Sequence, residues 1–251
     1  MRAMKRTVLL AIATVALAAC GRGDVVQNLG PELLYERGQE MMQAGNYQGA
    51  VAYFQQLEAT YPFSNLTRQA QLDIIYAYYK AGRREEAIAA AEEFERENPT
   101  HPRVDYTLYM RGLILFDEGP NILERLFRID VTTRPPKDSE RSFRMFQELL
   151  RRFPDSEYAA DAHQRMVFLR NRLAEYENHV ARYWLQREAY VAAVRRAEYA
   201  IQTYPGAPQL EDSLKIMIEA YRRLGMDDLA ADAERVLERS FGDPSGSFSL
   251  D

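Results

Sequence analysis

The stretch Gly45-Asn46-Tyr47-Gln48-Gly49-Ala50, followed by Phe54 and Pro62, decides the fold of this 251-residue chain. Twelve positions separate Ala50 from Pro62. Tetratricopeptide repeats are helical hairpins about 34 residues long, with a small residue where the two helices cross and a proline twelve residues later. The stretch therefore predicts a hairpin of two antiparallel helices.

Further copies of this pattern follow along the chain, and apolar residues recur at helical spacing between Leu33 and Leu237. Glycine is expected at the turn between two helices, where a left-handed backbone is cheap only for glycine, and alanine where the helices approach closely. We therefore predict an all-α solenoid of about five tetratricopeptide-type hairpins. The residues that mark the later copies are Gly82, Ala87, Phe94 and Pro99; Gly112, Ser142, Phe146 and Pro154; Tyr190, Ala193, Ala200 and Pro205; and Gly225, Ala230 and Leu237.

Two intervals between the prolines exceed the length of one repeat. The interval from Pro99 to Pro154 spans 55 positions, and its excess contains Gly119-Pro120 and Pro135-Pro136. We predict an inserted loop at 118–137, because loops of this length are usually functional or disordered. The interval from Pro154 to Pro205 spans 51 positions, but residues 158–176 contain no helix breaker. An extra or lengthened helix is therefore expected between the third and fourth hairpins.

The amino terminus has the features of a bacterial lipoprotein signal. Three basic residues precede an apolar run at 8–18, which is too short to span a bilayer as a mature helix. The run ends in Leu17-Ala18-Ala19-Cys20, which resembles the lipobox of bacterial lipoproteins, and Cys20 is the only cysteine. We expect cleavage before Cys20 and a diacylglycerol and an N-acyl chain on that residue. The alternative is an ordinary signal peptide followed by an unrelated cysteine.

Acyl chains on Cys20 would anchor the protein to a membrane without a transmembrane helix, because each buried methylene contributes roughly 0.8 kcal/mol. An aspartate after the lipidated cysteine favours inner-membrane retention, and here that residue is Gly21. We therefore expect the protein on the periplasmic face of the outer membrane. The predicted organisation is a signal peptide at 1–19, a lipidated flexible tether at 20–31, amino-terminal repeats at 32–117, the inserted loop at 118–137, carboxy-terminal repeats at 138–243 and a tail at 244–251.

Composition and motifs limit the classes of function. The net charge of -5 and the pI of about 5.5 give no reason to expect a nucleic-acid partner. His101, His163 and His179 show no metal-binding spacing, and neither a G-x-S-x-G nucleophile motif nor a phosphate-binding glycine loop occurs in the sequence. We therefore expect a protein-binding scaffold without catalytic residues, without a metal site and without a cofactor other than the acyl chains.

In this repeat class the first helix of each hairpin lines a concave groove. Groove positions carry mostly aromatic residues in the amino-terminal half and mostly charged residues in the carboxy-terminal half. Any single tyrosine could lie in the core or in the groove, and Tyr78 is expected in the core. The chain has 16 tyrosines, however, which is more than helix packing needs, so we expect several in the groove. An aromatic groove suits an extended apolar or aromatic peptide. The candidate substrate-binding residues are Tyr35, Tyr76, Tyr79, Tyr106, Tyr109 and Phe116.

Several strings exceed the generic repeat consensus and resemble the BamD (ComL) family of outer-membrane lipoproteins. They include Gln71-Leu72-Asp73-Ile74-Ile75-Tyr76-Ala77-Tyr78-Tyr79-Lys80, Asn98-Pro99-Thr100-His101-Pro102 and Val167-Phe168-Leu169-Arg170-Asn171-Arg172-Leu173-Ala174. The resemblance runs along essentially the whole chain. It implies a non-catalytic scaffold in β-barrel protein assembly, with the barrel subunit BamA, accessory Bam lipoproteins and unfolded outer-membrane proteins as partners.

The resemblance also implies a division of labour between the two halves of the chain. In the family, the carboxy-terminal repeats dock on the soluble domains of BamA. The amino-terminal repeats are implicated in receiving barrel proteins through a last strand that ends in an aromatic residue. Arg196 matches a family arginine at the BamA contact. Together with the charged carboxy-terminal repeats, this makes Arg196, Arg222 and Arg223 the candidate partner-binding residues.

Two other functions fit a lipid-anchored repeat protein. One is a different periplasmic adaptor, for example one attached to peptidoglycan, and retention by peptidoglycan sacculi would favour it. The other is an anchored cell-wall enzyme, which would need catalytic residues that the sequence does not show.

Overall fold

The computed structural model describes residues 29–116 and 136–242. These residues contain ten α-helices and no strand, which confirms the predicted all-α fold. Cys20, the signal peptide, most of the tether, the insert up to residue 135 and the tail are predictions that lie outside the described residues. The helices are α1 (Pro31–Gln43), α2 (Tyr47–Thr60), α3 (Asn65–Lys80), α4 (Arg84–Glu97), α5 (Val104–Leu115), α6 (Lys137–Arg152), α7 (Ala159–Gln186), α8 (Tyr190–Thr203), α9 (Leu210–Arg223) and α10 (Asp227–Phe241).

The chain divides into two compact units, Met1–Ala77 (unit 1) and Tyr78–Asp251 (unit 2). In unit 1, α1 packs on α2, and the Gln71 amide of α3 donates a hydrogen bond to the Glu58 carboxylate of α2 at 2.7 Å. In unit 2, each helix from α4 to α10 packs on the next, and α7 also packs on α9. Such nearest-neighbour packing is typical of repeat solenoids.

Proline positions and helix lengths agree with the sequence patterns. Helices α2, α4, α6 and α8 each end two residues before a proline. The long interval in the fourth hairpin is filled by α7, a single helix of 28 residues, which confirms the lengthened helix. Two predicted boundaries shift by one residue, because Pro31 and Lys137 are already helical. Proline is favoured in the first turn of a helix, where its missing N–H costs nothing.

The turns between paired helices require a left-handed backbone. Gly45, Gly82 and Gly225 have φ angles of 74°, 75° and 70°, and a Cβ at any of them would meet nothing within 4 Å. Backbone conformation, rather than lack of space, therefore requires glycine at these turns. In the α7–α8 turn Glu188 takes this conformation with a φ of 60°, the only positive value for a non-glycine among the described residues.

Where paired helices cross, a glycine of the first helix packs against a phenylalanine of the second. A Cβ on Gly38 in α1 would collide with the ring of Phe54 in α2. A Cβ on Gly112 in α5 would lie 2.6 Å from the ring of Phe146 in α6. Both phenylalanines are fully buried, so the same close crossing is built once in unit 1 and once in unit 2. No helix in the described ranges is long and apolar enough to span a membrane.

Candidate protein-binding surfaces

In unit 1, the candidate residue Tyr35 is held in place by hydrogen bonds. Its hydroxyl donates to the Asp73 carboxylate at 2.8 Å, and the Gln39 amide donates to both groups, at 3.0 and 2.7 Å respectively. Its ring centroid lies 5.7 Å from that of Phe54. Burial, with the Asp73 carboxylate, raises the pKa of Tyr35, so the hydroxyl stays neutral at physiological pH. Tyr35 is therefore half-buried and fixed in one orientation.

The other candidate tyrosines before α4 lie on α3. Tyr76 is 39% exposed and is the most exposed of the six candidate substrate-binding residues. Tyr79 is half-buried, and Tyr78 is buried, as expected for a core residue. Tyr76 is thus the candidate whose ring surface is most available to a partner.

In unit 2, Tyr106, Tyr109 and Phe116 of α5 are covered by the beginning of α7. Tyr109 stacks on Tyr158, with ring centroids 4.6 Å apart and planes 19° apart, and Tyr106 lies 5.9 Å from the same ring. Phe116 lies 5.7 Å from Phe168, which is 42% exposed. We call these five residues the aromatic wall. Its Phe168 edge is the part that water reaches most.

Two arginines hold the aromatic wall from its ends. Arg103 lies 5.2 Å from the centre of the Tyr106 ring and donates a hydrogen bond to the Tyr158 hydroxyl at 2.7 Å. Arg165 lies 4.7 Å from the centre of the Phe116 ring and donates to Asp161 at 2.6 Å. Both guanidinium groups therefore make cation–π contacts while their charges are balanced by carboxylates, Glu157 for Arg103 and Asp161 for Arg165.

Asp161 also ties the wall to α5. The Tyr109 hydroxyl donates to Asp161 at 2.8 Å. Burial and this carboxylate raise the pKa of Tyr109 to about 12. The pKa of Asp161 is lowered, because hydrogen bonds from Arg165 and Tyr109 outweigh the effect of its burial. Asp161 therefore stays ionised and accepts hydrogen bonds from both neighbours.

The expectation that the candidate aromatic residues are largely exposed is wrong for five of the six. Only Tyr76 is more than one third exposed. For Tyr106, Tyr109 and Phe116 the reason is that the beginning of α7 covers α5. Tyr35 is instead held by Asp73 and Phe54 within unit 1. Sequence reasoning missed Tyr158, Phe168 and Arg165, because the long α7 breaks the 34-residue spacing that defines the groove positions. It also missed Arg103, because this residue precedes α5 and is not a groove position. Substrate binding by the six residues stays a prediction.

In the carboxy-terminal half, Arg196 of α8 is joined to a buried acid. Its Nη1 donates to Glu177 Oε2 of α7 at 3.1 Å. The side chain of Arg196 is 48% exposed, whereas that of Glu177 is only 4% exposed. Burial raises the pKa of Glu177; Arg196 opposes this shift and Glu140 of α6 adds to it. The pair thus presents a cation outward above a carboxylate that lies inside the fold.

The two other candidate arginines lie at the end of α9. Arg222 pairs with Glu234 of α10, and Arg223 pairs with Glu219 at 2.8 Å. Both arginine side chains are more than half exposed, so water screens the attraction in each pair. Within the described residues neither arginine pairs with Glu177, the acid that Arg196 contacts. The structure therefore brings Arg196 together with Glu177, and Arg222 and Arg223 with other acids.

An open cavity of about 480 Å³ lies beside the strained α7–α8 turn. Tyr190, Val191 and Arg195 of α8 line it together with Leu224, which follows α9. The described residues contain no group of three histidine, cysteine, aspartate or glutamate side chains placed to hold a metal ion.

Comparison with known proteins gives consistent matches. Residues 28–237 match the family described as YfiO, outer membrane lipoprotein. The outer membrane protein assembly factor BamD of Neisseria meningitidis serogroup A is 43% identical over 245 residues, which cover 95% of this chain and 92% of the relative. The BamD of Vibrio cholerae is 40% identical over 215 residues, 86% of this chain and 89% of the relative. Among solved structures, a tetratricopeptide repeat protein from Parabacteroides merdae covers 94% of this chain and 74% of its own, at 18% identity and a TM-score of 0.39, a likeness too low to bear on function.

Proposed function

This chain belongs to the BamD family of outer membrane protein assembly factors, and we propose that it is a non-catalytic scaffold for β-barrel protein assembly. It binds the barrel subunit BamA and accessory lipoproteins through its carboxy-terminal helices, and unfolded outer-membrane proteins through its aromatic residues. Acyl chains on Cys20 hold it on the periplasmic face of the outer membrane. The repeat fold and the family are both typical of scaffolds rather than enzymes.

The pair formed by Arg196 and Glu177 is the observation that carries the proposed BamA contact. Arginine has five N–H donors in a planar fork, and one of them bonds to Glu177. Because about half of the side chain is exposed, the remaining donors can bond to a partner. Such a fork fits a carboxylate, and arginine is enriched where protein interfaces bury charge. Arg196 therefore contacts an acidic side chain of BamA.

The aromatic wall supports the proposed substrate contact. Phe168 and Phe116 present apolar ring surface at the edge of the wall, with the Arg165 guanidinium behind it. An aromatic side chain of an unfolded barrel protein stacks at this edge. Aromatic pairs are worth about 0.5–1.5 kcal/mol beyond the area they bury, which allows selective but reversible capture.

Replacing Arg196 by lysine tests the BamA contact. Arg196→Glu is unsuitable as a test, because it would place a second negative charge next to the buried Glu177. Arg196→Lys keeps the positive charge beside Glu177 but removes the planar fork. We expect roughly tenfold weaker binding of purified full chain to the periplasmic domains of BamA, about 1.4 kcal/mol, with an unchanged melting temperature.

Arg195→Lys is the matched control, since it makes the same change at the exposed neighbouring position of α8. Equal affinity of the Arg196→Lys variant and the wild type would remove Arg196 from the interface. Affinity purification of the tagged chain from detergent-solubilised outer membrane tests the function as a whole. Recovery of BamA supports the proposal, whereas retention on peptidoglycan sacculi without BamA would favour a different periplasmic adaptor.

A further inference from the structure

We propose that Glu177 is a positioning residue for partner binding, whose buried carboxylate fixes the Arg196 guanidinium in the orientation that the partner contacts. This inference rests on the proposed role of Arg196. Glu177 itself lies too far inside the fold to touch a partner, since only 4% of its side-chain surface is exposed. Its effect on binding therefore passes through the side chain to which it is bonded.

Close packing of α7 on α8 brings the two side chains together. Ala193 and Ala197 of α8 are fully buried on either side of Arg196, and Ala181 of α7 is fully buried one turn after Glu177. Small residues let helix backbones approach, so the Glu177 carboxylate reaches the guanidinium at 3.1 Å from beneath. A free arginine samples many rotamers, and this contact restricts them before a partner arrives. Restricting a flexible side chain in advance lowers the entropy cost of binding.

Packing alone does not explain a glutamate at position 177. Burial opposes its charge, and Glu140 of α6 adds a second negative charge nearby. Tyr204, which directly follows α8, is fully buried; burial raises its pKa, and Glu140 and Glu177 lie close enough to add to the shift. Glutamine has nearly the same shape and would fill the same space without a buried charge. The buried Glu177 carboxylate costs stability, and its contact with the Arg196 guanidinium accounts for its presence.

The test compares Glu177→Gln with Glu175→Gln in the full chain, using the periplasmic domains of BamA as the probe. Glu175 lies two residues earlier on α7 and pairs with Arg182 at 3.5 Å, so its substitution removes the same charge from a different contact. We expect Glu177→Gln to weaken binding about five- to tenfold and Glu175→Gln less than twofold. Circular dichroism melting should show no loss of stability for Glu177→Gln.

A double-mutant cycle with Arg196→Ala separates positioning from a general structural effect. If Glu177 acts through Arg196, Glu177→Gln has no further effect on affinity once Arg196 is alanine. Equal weakening in both backgrounds would overturn the inference, because Glu177 would then act through the fold. Unchanged affinity of Glu177→Gln beside a weakened Arg196→Ala would also overturn it, while leaving the proposed function intact. Unchanged affinity of Arg196→Ala would instead refute the proposed contact, and the inference with it.

Discussion

The two ends of α7 use arginine and carboxylate side chains in opposite ways. At its beginning, Arg165 and Asp161 are paired with each other and serve the rings of Phe116 and Tyr109, so charge supports an aromatic surface. Further along the helix, Glu177 is buried and its partner Arg196 is half exposed, so the exposed feature there is a positive charge. One helix thus supports a preformed apolar face and a single outward cation. The difference lies in the burial of the acid: Asp161 is partly exposed beside Arg165, whereas Glu177 is buried beneath Arg196.

The largest expected effect is on stability, and it distinguishes the buried residue that supports the aromatic wall from the residue at its exposed edge. Phe146 is fully buried behind Tyr109 and Phe116, and Gly112 packs directly on its ring. Phe146→Ala should lower the free energy of unfolding by about 3–5 kcal/mol, because it leaves a cavity at the helix crossing. Chemical denaturation followed by circular dichroism measures this. Phe168→Ala, at the exposed edge, should cost less than about 1 kcal/mol, and equal costs would show that the wall has no separate edge.

Binding of a barrel peptide should depend on Phe168 of α7 and not on Arg196 of α8, which we expect to contact BamA. Phe168→Ala should weaken binding of a peptide that copies a barrel's last strand by about 1–2 kcal/mol, since it removes exposed ring surface. Arg196→Lys should leave this affinity unchanged. Fluorescence anisotropy with a labelled peptide gives both values. Similar losses in the two variants would mean that the proposed division between substrate and partner surfaces is incorrect.

The hydroxyl of Tyr109 should contribute a smaller amount to the wall. Tyr109→Phe removes the hydrogen bond to Asp161 but keeps the stacked ring, so unfolding free energy should fall by about 1 kcal/mol. Tyr183→Phe, at an exposed position of α7, is the control. A loss no larger at Tyr109 than at Tyr183 would indicate that Arg165 alone satisfies Asp161.

A glycine in the strained turn before α8 should raise stability, by no more than the loss expected for Tyr109→Phe. Glu188→Gly should stabilise the protein by about 0.5–1 kcal/mol, because glycine adopts the left-handed backbone without the penalty of a Cβ. Gly225→Ala, in the next hairpin turn, should destabilise it by a similar amount. Thermal melts of both variants check this pair, and the same sign for both would exclude backbone strain as the cause.

The smallest expected effect is the contribution of Glu177 to the pH dependence of stability. Because the pKa of this acid is raised in the folded protein, its favourable contribution is complete below 4.5 and is lost as pH rises through the folded value. The stability of Glu177→Gln relative to the wild type should therefore increase from about pH 4.5 towards neutrality. Denaturant titrations at several pH values measure the difference. A difference that does not change with pH would mean that Glu177 titrates normally.

The sequence by itself determined the features that depend on local chemistry. Glycine is favoured where a tight turn needs a positive φ, as at Gly45 and Gly225, and helices stop shortly before proline, as α2 stops before Pro62. The length of α7 also follows from an interval without helix breakers. The BamD family was recognisable because its strings exceed what these packing rules require, and the relatives confirm it.

Only the tertiary structure decided which side chains meet. A regular repeat predicts the groove positions, but α7 has 28 residues and lengthens the interval between Pro154 and Pro205 to 51 positions, which breaks that register. Tyr109 is therefore stacked under Tyr158 instead of open, and Glu177 lies beneath Arg196 across two helices. Helical periodicity fixes which residues of one helix share a face. The rotation and crossing of packed helices depend on all the side chains between them, and no local pattern contains that information.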